Sequence, residues 1–519
     1  MKPQFSLLAE VTRYQAHIRQ GKVALKFEGD VTTYAALHER ACRVGNGLHA
    51  AGIGHGDRVV YLGKNTAAYY EILFGTAAVG AVLTPLNWRL ADPEIEWILQ
   101  DARPKVIFAG ESFAKGIRSS PAGQPRWVLA LEKDAGYDAW RDAQSCAEPV
   151  AGIVPENIVV QLYTSGTTGK PKGAMLSHRA LLAFRSLPPE AQPEWNRWTD
   201  EDVSLIVMPQ FHVGGTGFGL QTLCAGATGL VMSEFDVGKI LNFIENERLS
   251  KIFTVPSAMQ MFLSHPRVRD IDYRRIRTMV YGASPIPLAL LREAMAVFKC
   301  RFVQQYGMTE TAGTICVLPP EDHSPDGNER MRSAGRALPG VEIDIVDGEG
   351  RRRAPGESGE IAIRTPTLMS GYWRMPEATA ASINADGFFF TGDVGYLDRD
   401  GYLHIQDRIK DMIVSGGENI YPAEVEAALS ECPGIREIAV IGVPDEKWGE
   451  AVKAIVVLAD AAAGPDSASI IAWARSRLAG YKIPKSVDFF SELPRNASGK
   501  VLRRALREPY WAGRDRNVN

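Results

Sequence analysis

Between positions 163 and 173 the chain reads Tyr-Thr-Ser-Gly-Thr-Thr-Gly-Lys-Pro-Lys-Gly. Gly166, Gly169 and Gly173 let the backbone turn its N–H groups inward, and Thr164, Ser165, Thr167 and Thr168 add hydroxyl donors. Lys170 and Lys172 supply positive charge. Clustered N–H and O–H donors with two ammonium groups suit a polyphosphate. The apolar run at 158–162 puts this loop at the carboxyl end of a strand, where open α/β sheets bind ligands. It is not a Walker A loop, because Pro171 follows Lys170 and the glycine spacing differs. Surface turns use the same small residues, but the donors and lysines packed into this stretch favour phosphate.

Strands alternating with helices must hold such a loop. Leu37, Ala41, Val44 and Leu48 recur at helical spacing, with Gly52 placed to end the helix. An apolar strand follows at 58–62. Asn65 is placed to cap the next helix, and Asp92 with Pro93 to open another. Strands at 82–84 and 106–108 complete βαβ units that imply parallel sheet. The alternation recurs from 157 to about 305, implying a second sheet. After Gly335, short strands separated by Gly, Pro and Asp turns read as a smaller antiparallel or barrel-like unit. The charged connector Asp407-Arg408-Ile409-Lys410-Asp411 then precedes a fresh α/β pattern, with a helix opening at Pro422.

Composition narrows the class. The 519 residues suggest about three domain-sized units. Lys and Arg number 58 against 61 Asp and Glu, a formal charge of −3 that leaves no electrostatic footprint for nucleic acid. Six dispersed cysteines without a CxxC pair fit a reducing compartment and offer no zinc site. Without a secretory, peroxisomal or prenylation signal, the cytoplasm is the expected location. Residues 203–233 carry no formal charge, but six glycines and Pro209 make a poor membrane span. A buried strand, a glycine-rich loop and a further buried helix or strand are expected there instead.

The motifs, in order, resemble the adenylate-forming superfamily: acyl-CoA synthetases, peptide-synthetase adenylation domains and firefly luciferase. After the loop come residues 304–310 (Gln-Gln-Tyr-Gly-Met-Thr-Glu), 391–393 (Thr-Gly-Asp) and the connector at 407–411. Residues 415–422 (Ser-Gly-Gly-Glu-Asn-Ile-Tyr-Pro) and 494–500 (Pro-Arg-Asn-Ala-Ser-Gly-Lys) close the set. The resemblance spans about 33 to 507. It implies an α/β fold with a large N-terminal domain (1–407) of two βα-layered sheets plus a small β-barrel. A hinge at 408–411 and a small mobile C-terminal domain (412–519) follow.

It also implies a reaction in which a carboxylate attacks the α-phosphate of ATP, so donors and cations must gather where negative charge builds. By resemblance, Thr164 to Gly169 and Lys172 hold the leaving phosphates, Thr309 contacts phosphate, and Glu310 holds Mg²⁺. Tyr306 stacks on adenine, framed by Gly282, Ala283, Ser284, Gln304 and Gly307, while Asp393 and Arg408 hold the ribose. Lys500 is implied as the catalytic lysine. For the second half-reaction Lys410 matches the hinge, Gly416 and Gly417 the pantetheine tunnel, and Arg89 and Trp448 the coenzyme A nucleotide.

His212, after Pro209-Gln210-Phe211, resembles the aromatic gate of the acyl pocket, which Gly214, Phe218, Gly282, Gly307 and Gly313 would line. His212 stands where amino-acid-activating domains carry an aspartate, which disfavours an amino-acid substrate. Neither 213–220 nor 311–320 holds a charge, and a dicarboxylate would need a buried cation. An apolar monocarboxylic acid is therefore expected, with glycines 214, 215, 217 and 219 read as unfilled volume. The wording is similar to bacterial medium- and long-chain fatty acyl-CoA ligases, then to feruloyl- and coumaroyl-CoA ligases. An acyl-AMP ligase loading a carrier protein in trans, a nonenzymatic nucleotide-binding protein and a luciferase-like oxygenase are the rivals. A homodimer is one compatible assembly.

Overall fold

The computed structural model describes residues 4–118, 127–131, 136–164, 171–408, 411–415, 418–460, 463–496 and 499–512. Leu37, Ala41, Val44 and Leu48 are buried along one face of the helix Tyr34–Ala50. Thr33 Oγ1 caps its first turn by accepting the N–H of Ala36 at 3.2 Å. The helix Ala68–Ala78 packs against it and is buried almost all round, so its sequence shows no polar stripe. Gly75 permits that approach, since a Cβ there would fall 2.7 Å from the Ala41 carbonyl oxygen.

Asn65 does not cap this helix, whose N-cap is Ala67. Its Nδ2 donates to the carbonyls of Val207 (3.2 Å) and Met208 (3.1 Å), and its Oδ1 accepts the N–H of Gln210 (2.9 Å). A tertiary role has displaced the local one, tying this segment to the turn ahead of the helix Val213–Ala225. Likewise Ala91, not Asp92, is the N-cap of Asp92–Ala102, and Glu94 accepts the Ala91 N–H.

Two large sheets form the N-terminal part. One runs Gly371–Tyr372, Lys172–Ser177, Ile158–Thr164, Val82–Leu86, Arg58–Leu62, Val106–Ala109 and Trp127–Ala130. The other runs Arg336–Ala337, Gly313–Leu318, Arg301–Met308, Thr278–Gly282, Lys251–Thr254, Val203–Ile206, Thr228–Val231, Val23–Phe27 and Asp30–Thr33. Both are parallel at the centre, as the βα alternation predicts; the second is antiparallel at both rims, the first only at its Gly371–Tyr372 and Lys172–Ser177 edge. The uncharged stretch resolves into Val203–Ile206, Val213–Ala225 and Thr228–Val231, inside the second sheet and its covering layer. Among the described residues no helix is long and apolar enough to cross a membrane.

The strands after Gly335 form an antiparallel sheet ordered Glu342–Val346, Gly359–Arg364, Phe389–Leu397 and Leu403–Arg408. Its described pairing does not return from last strand to first, so this is an open sheet rather than a closed barrel. Beyond it Ile413–Ser415, Glu418–Ile420, Ile435–Asp445, Gly449–Leu458 and Ser486–Phe489 make a separate sheet. Ile413, Ile420, Val425, Leu429, Val440, Val452 and Ile470 form a core of their own beneath the helices Pro422–Ser430 and Ser467–Arg475. The protein is thus a mixed α/β fold with a large N-terminal domain of sheets and a smaller C-terminal one.

Candidate active site

The base of the glycine-rich loop is a strand pair. Thr164 ends one strand and stands opposite Lys172, which begins its antiparallel neighbour. Ser165, Gly166, Thr167, Thr168, Gly169 and Lys170 lie outside the described residues. Thr164 Oγ1 donates to Glu310 Oε1 at 3.2 Å, and Tyr372 Oη donates to the same oxygen at 3.1 Å. Lys172 Nζ lies 5.0 Å from the centre of the Tyr372 ring. Thr309 and Glu310 sit on the one-turn 3₁₀ helix Thr309–Thr311, just past the strand Arg301–Met308. Thus loop base, carboxylate and lysine, far apart in sequence, meet.

Next to them is a second knot. Tyr306 Oη donates to Asp393 Oδ2 at 2.7 Å, and Arg408 Nε to Asp393 Oδ1 at 3.0 Å. Asp393 and Arg408 are register partners on neighbouring strands, so the sheet fixes their spacing. Burial is the largest single influence and works against the Arg408 charge, but Asp393, Tyr306, Asp411 and Glu310 together outweigh it and hold the guanidinium above its ordinary value. Glycine is required beside the tyrosine: a Cβ on Gly282 would fall 2.2 Å from the Gln305 carbonyl oxygen, and one on Gly307 2.0 Å from that of Gly313. Ala283, in the left-handed region at φ +67°, and Ser284 follow Gly282 at the strand's end. Gln304 receives the Tyr281 hydroxyl at 3.5 Å.

Lys500 reaches this knot from the C-terminal domain. Asn496 accepts the Lys500 N–H at 2.8 Å, and the Asn496 N–H returns a bond to the Lys500 carbonyl. Gly499, at φ +81°, rests on the N-terminal domain, where a Cβ would fall 2.4 Å from Ser257 Oγ. Burial first and Arg408 second bring the Lys500 ammonium down to about 8, while Asp393 and Asp411 oppose the shift. That electrostatic coupling puts Lys500 in the surroundings of Asp393 and Arg408. The neighbouring Ala497 and Ser498, like Lys410, Gly416 and Gly417, lie outside the described residues.

His212 is the N-cap of Val213–Ala225, with its ring 4.7 Å from that of Phe211. Its Nε2 is buried without a partner among the described residues, and burial with nearby Arg89 lowers the imidazole to about 4, keeping it neutral. Arg89 stacks on Trp88, 4.2 Å from the ring centre. Trp448 is 44% exposed on a C-terminal-domain turn, and no described contact joins it to Arg89. Phe218 packs between Trp198 (5.4 Å) and Phe253 (5.8 Å).

The glycines of 214–219 are not unfilled volume. A Cβ would meet Phe253 at 2.8 Å from Gly214, the Pro209 carbonyl at 2.1 Å from Gly215, and Tyr70 Oη from Gly219. They admit close neighbours. From Gly217 a Cβ would meet Arg185, a deep cation that no motif singles out. Its only sequence signal is a lone charge in the run Ala-Leu-Leu-Ala-Phe-Arg-Ser-Leu at 180–187.

The base of the glycine-rich loop, Asp393 with its arginine and tyrosine, and Lys500 from the C-terminal domain are thus gathered from segments far apart in sequence. The chain belongs to the AMP-binding enzyme family, whose profile matches residues 12–373, with the AMP-binding enzyme C-terminal domain matching 424–500. These are AMP-forming, ATP-dependent acyl-CoA and acyl-carrier ligases. It is 42% identical to the fatty acid–[acyl-carrier-protein] ligase ScoC of Streptomyces coeruleorubidus, over 100% of this chain and 99% of that one. It is 41% identical to a feruloyl-CoA synthase of an Amycolatopsis species, over 96% and 97%. ATP-bound MatB from Rhodopseudomonas palustris superposes with a TM-score of 0.88 at 33% identity, covering 97% of this chain and 99% of that one. The apo form of MatB, at the same identity and coverage, gives 0.76.

Proposed function

We propose that this chain activates a carboxylic acid of largely apolar body and transfers the acyl group to coenzyme A. A carboxylate oxygen attacks the α-phosphorus of ATP, the bond to the β-phosphate oxygen breaks, and pyrophosphate leaves acyl-AMP behind. The coenzyme A sulfur then attacks the acyl carbonyl. AMP departs with the bridging oxygen, and the thiol proton passes to water.

The observation that carries this reading is the convergence of Tyr306, Asp393 and Arg408 with Lys500. Tyr306 would carry adenine, Asp393 and Arg408 the ribose, and Lys500 the oxygens that gain charge during attack. The closer fit to the ATP-bound than to the apo form of MatB supports a domain arrangement poised for adenylation. Thr164, residues 165–169, Lys172 and Thr309 would receive the phosphates.

Both described hydrogen bonds to the Glu310 carboxylate fall on Oε1, which leaves Oε2 for a cation. A single carboxylate fits Mg²⁺, which takes its other ligands from phosphates and water; bound there, the ion would offset charge on the leaving pyrophosphate. His212, neutral and beside the acyl-site helix, would gate the acyl group. After adenylation the C-terminal domain would turn about 408–411, with Lys410 as pivot, withdrawing Lys500 and bringing Gly416 and Gly417 along the pantetheine. Arg89 and Trp448 would hold the coenzyme A nucleotide.

Among acids, a medium- or long-chain fatty acid comes first. The aromatic wall of Phe218, Phe253 and Trp198 supports a second reading, an aryl or phenylpropenoic acid. The similarity to ScoC supports a carrier-protein thiol as alternative acceptor. We place the enzyme in the cytoplasm, where its six free cysteines would stay reduced, with a homodimer as the assembly to test. The test is pyrophosphate release over C4 to C18 fatty acids and aryl acids, with consumption of free coenzyme A followed in parallel. Release that does not require both ATP and an acid would refute the proposal.

A further inference from the structure

Among the described residues, Arg185 is a cation without an anion. Its Nε donates to the carbonyl of Gly217 (3.0 Å), Nη1 to that of Leu181 (2.8 Å) and Nη2 to that of Ala312 (2.9 Å). No carboxylate among the described residues pairs with it. Burial alone pulls the guanidinium down to about 10, which still leaves it charged at neutral pH. Leu181, Gly217 and Ala312 are buried, yet Arg185 retains accessible surface, as do Val213, Gly214, Phe218, Gly307 and Gly313. Val213, Gly214 and Phe218 lie on the helix Val213–Ala225, and Gly307 and Gly313 on the strands Arg301–Met308 and Gly313–Leu318, the segments proposed above to hold the acyl group.

Guanidinium has five N–H groups. The three carbonyls account for one on each nitrogen, so Nη1 and Nη2 each keep one N–H. Two glycines face the same group: a Cβ would fall 2.3 Å from Nη2 at Gly217 and 3.0 Å from it at Gly313. A strut joining three backbone segments would use only the three bonds made. The two N–H groups left over, on a guanidinium that keeps some accessible surface, can donate to an acceptor that arrives beside them.

We propose that Arg185 is a specificity-determining residue of the acyl pocket, donating to an oxygen acceptor that the substrate acid carries away from its reacting carboxylate. This rests on the adenylating function proposed above and narrows its substrate to oxygen-bearing acids. A hydroxyl, a carbonyl or a second carboxylate shares the required chemistry. The carbonyls already bound hold the fork in place, so little ordering is left when the acceptor arrives.

The experiment compares kcat/KM for pyrophosphate release within matched sets: hexanoate, 6-hydroxyhexanoate and adipate; octanoate, 8-hydroxyoctanoate and suberate; cinnamate and 4-hydroxycinnamate. In at least one set the oxygen-bearing acid should lead by about tenfold or more, the span of a charge-assisted hydrogen bond. Arg185→Met should erase that preference while changing the apolar member by only a few-fold. Gly217→Ala, which keeps the charge but crowds Nη2, should erode it as well, and guards against misfolding of the first variant. A lead confined to the dicarboxylates identifies an anion as the acceptor; a lead shared by the hydroxy acids identifies a neutral oxygen. Calorimetric titration of the same acids reads Arg185-dependent binding even without turnover, separating failure of this inference from failure of the adenylating function. Equal loss for every acid in Arg185→Met, or no set in which oxygen helps, would reduce Arg185 to a strut.

Discussion

Asp407 Oδ2 accepts the backbone N–H of Ala423 at 2.8 Å. The carboxylate ends the N-terminal domain's last sheet, and the N–H belongs to the first turn of Pro422–Ser430 in the C-terminal domain. Burial pushes the Asp407 carboxyl up to about 6, with Arg503 pulling it down and Glu426 adding to the rise. Arg503 Nη1 stands 3.7 Å from Asp407 and 3.8 Å from Asp411, while its Nη2 holds Glu426 at 2.6 Å. One arginine thus latches both sides of the proposed hinge.

Asp407→Ala should loosen this latch. Losing a buried acceptor should cost about 1–3 kcal/mol of stability, read as a lower melting temperature. Adenylation should slow more than transfer from supplied acyl-AMP, because only the former needs the closed arrangement. Equal slowing of both steps would remove Asp407 from domain positioning.

Lys500→Ala should reduce acyl-AMP formation at least 10²–10³-fold, about 2.7–4 kcal/mol, and leave coenzyme A transfer to a supplied acyl-adenylate within a few-fold. Quenched-flow measurement of each half-reaction checks this. Matching losses in the two would contradict the role given to the lysine.

The lowered Lys500 ammonium makes adenylation pH-dependent. Its charged form is complete well below pH 8 and is lost as pH rises through about 8. The kcat/KM profile, which reports the free enzyme, should therefore fall on that alkaline limb. The limb in kcat should lie higher, since bound phosphates favour the protonated amine. A Lys500→Arg enzyme with residual activity should lack the limb, and persistence of the limb there would assign it elsewhere.

Gly214→Ala tests the acyl wall. The added methyl falls 2.8 Å from the Phe253 ring and must push it. The accepted acid should shorten, with kcat/KM for longer acids falling by about 0.8 kcal/mol per methylene denied burial. An unchanged length profile would take Gly214 out of the pocket.

How far the sequence foretold this site differs residue by residue. The motifs marked Thr164, Tyr306, Glu310 and Asp393, and the structure brings Thr164 to Glu310 and Tyr306 to Asp393. The βα alternation was legible because apolar periodicity reports which face is buried. Asn65 was not, because a cap and a long-range clamp use the same side chain. The glycines of 214–219 were misleading, since missing side chains signal close approach as readily as open space. Arg185 was silent, because sequence does not show which carbonyls a lone arginine will meet.

The central claim is that an acid oxygen attacks the α-phosphorus of ATP. Acid labelled with ¹⁸O in its carboxylate should be incubated with the wild-type enzyme, ATP, Mg²⁺ and coenzyme A, and the nucleotide product weighed by mass spectrometry. The account predicts AMP carrying one ¹⁸O for each thioester formed, because the bridging oxygen leaves with the nucleotide. Unlabelled AMP, or ADP with the label in inorganic phosphate, would contradict it.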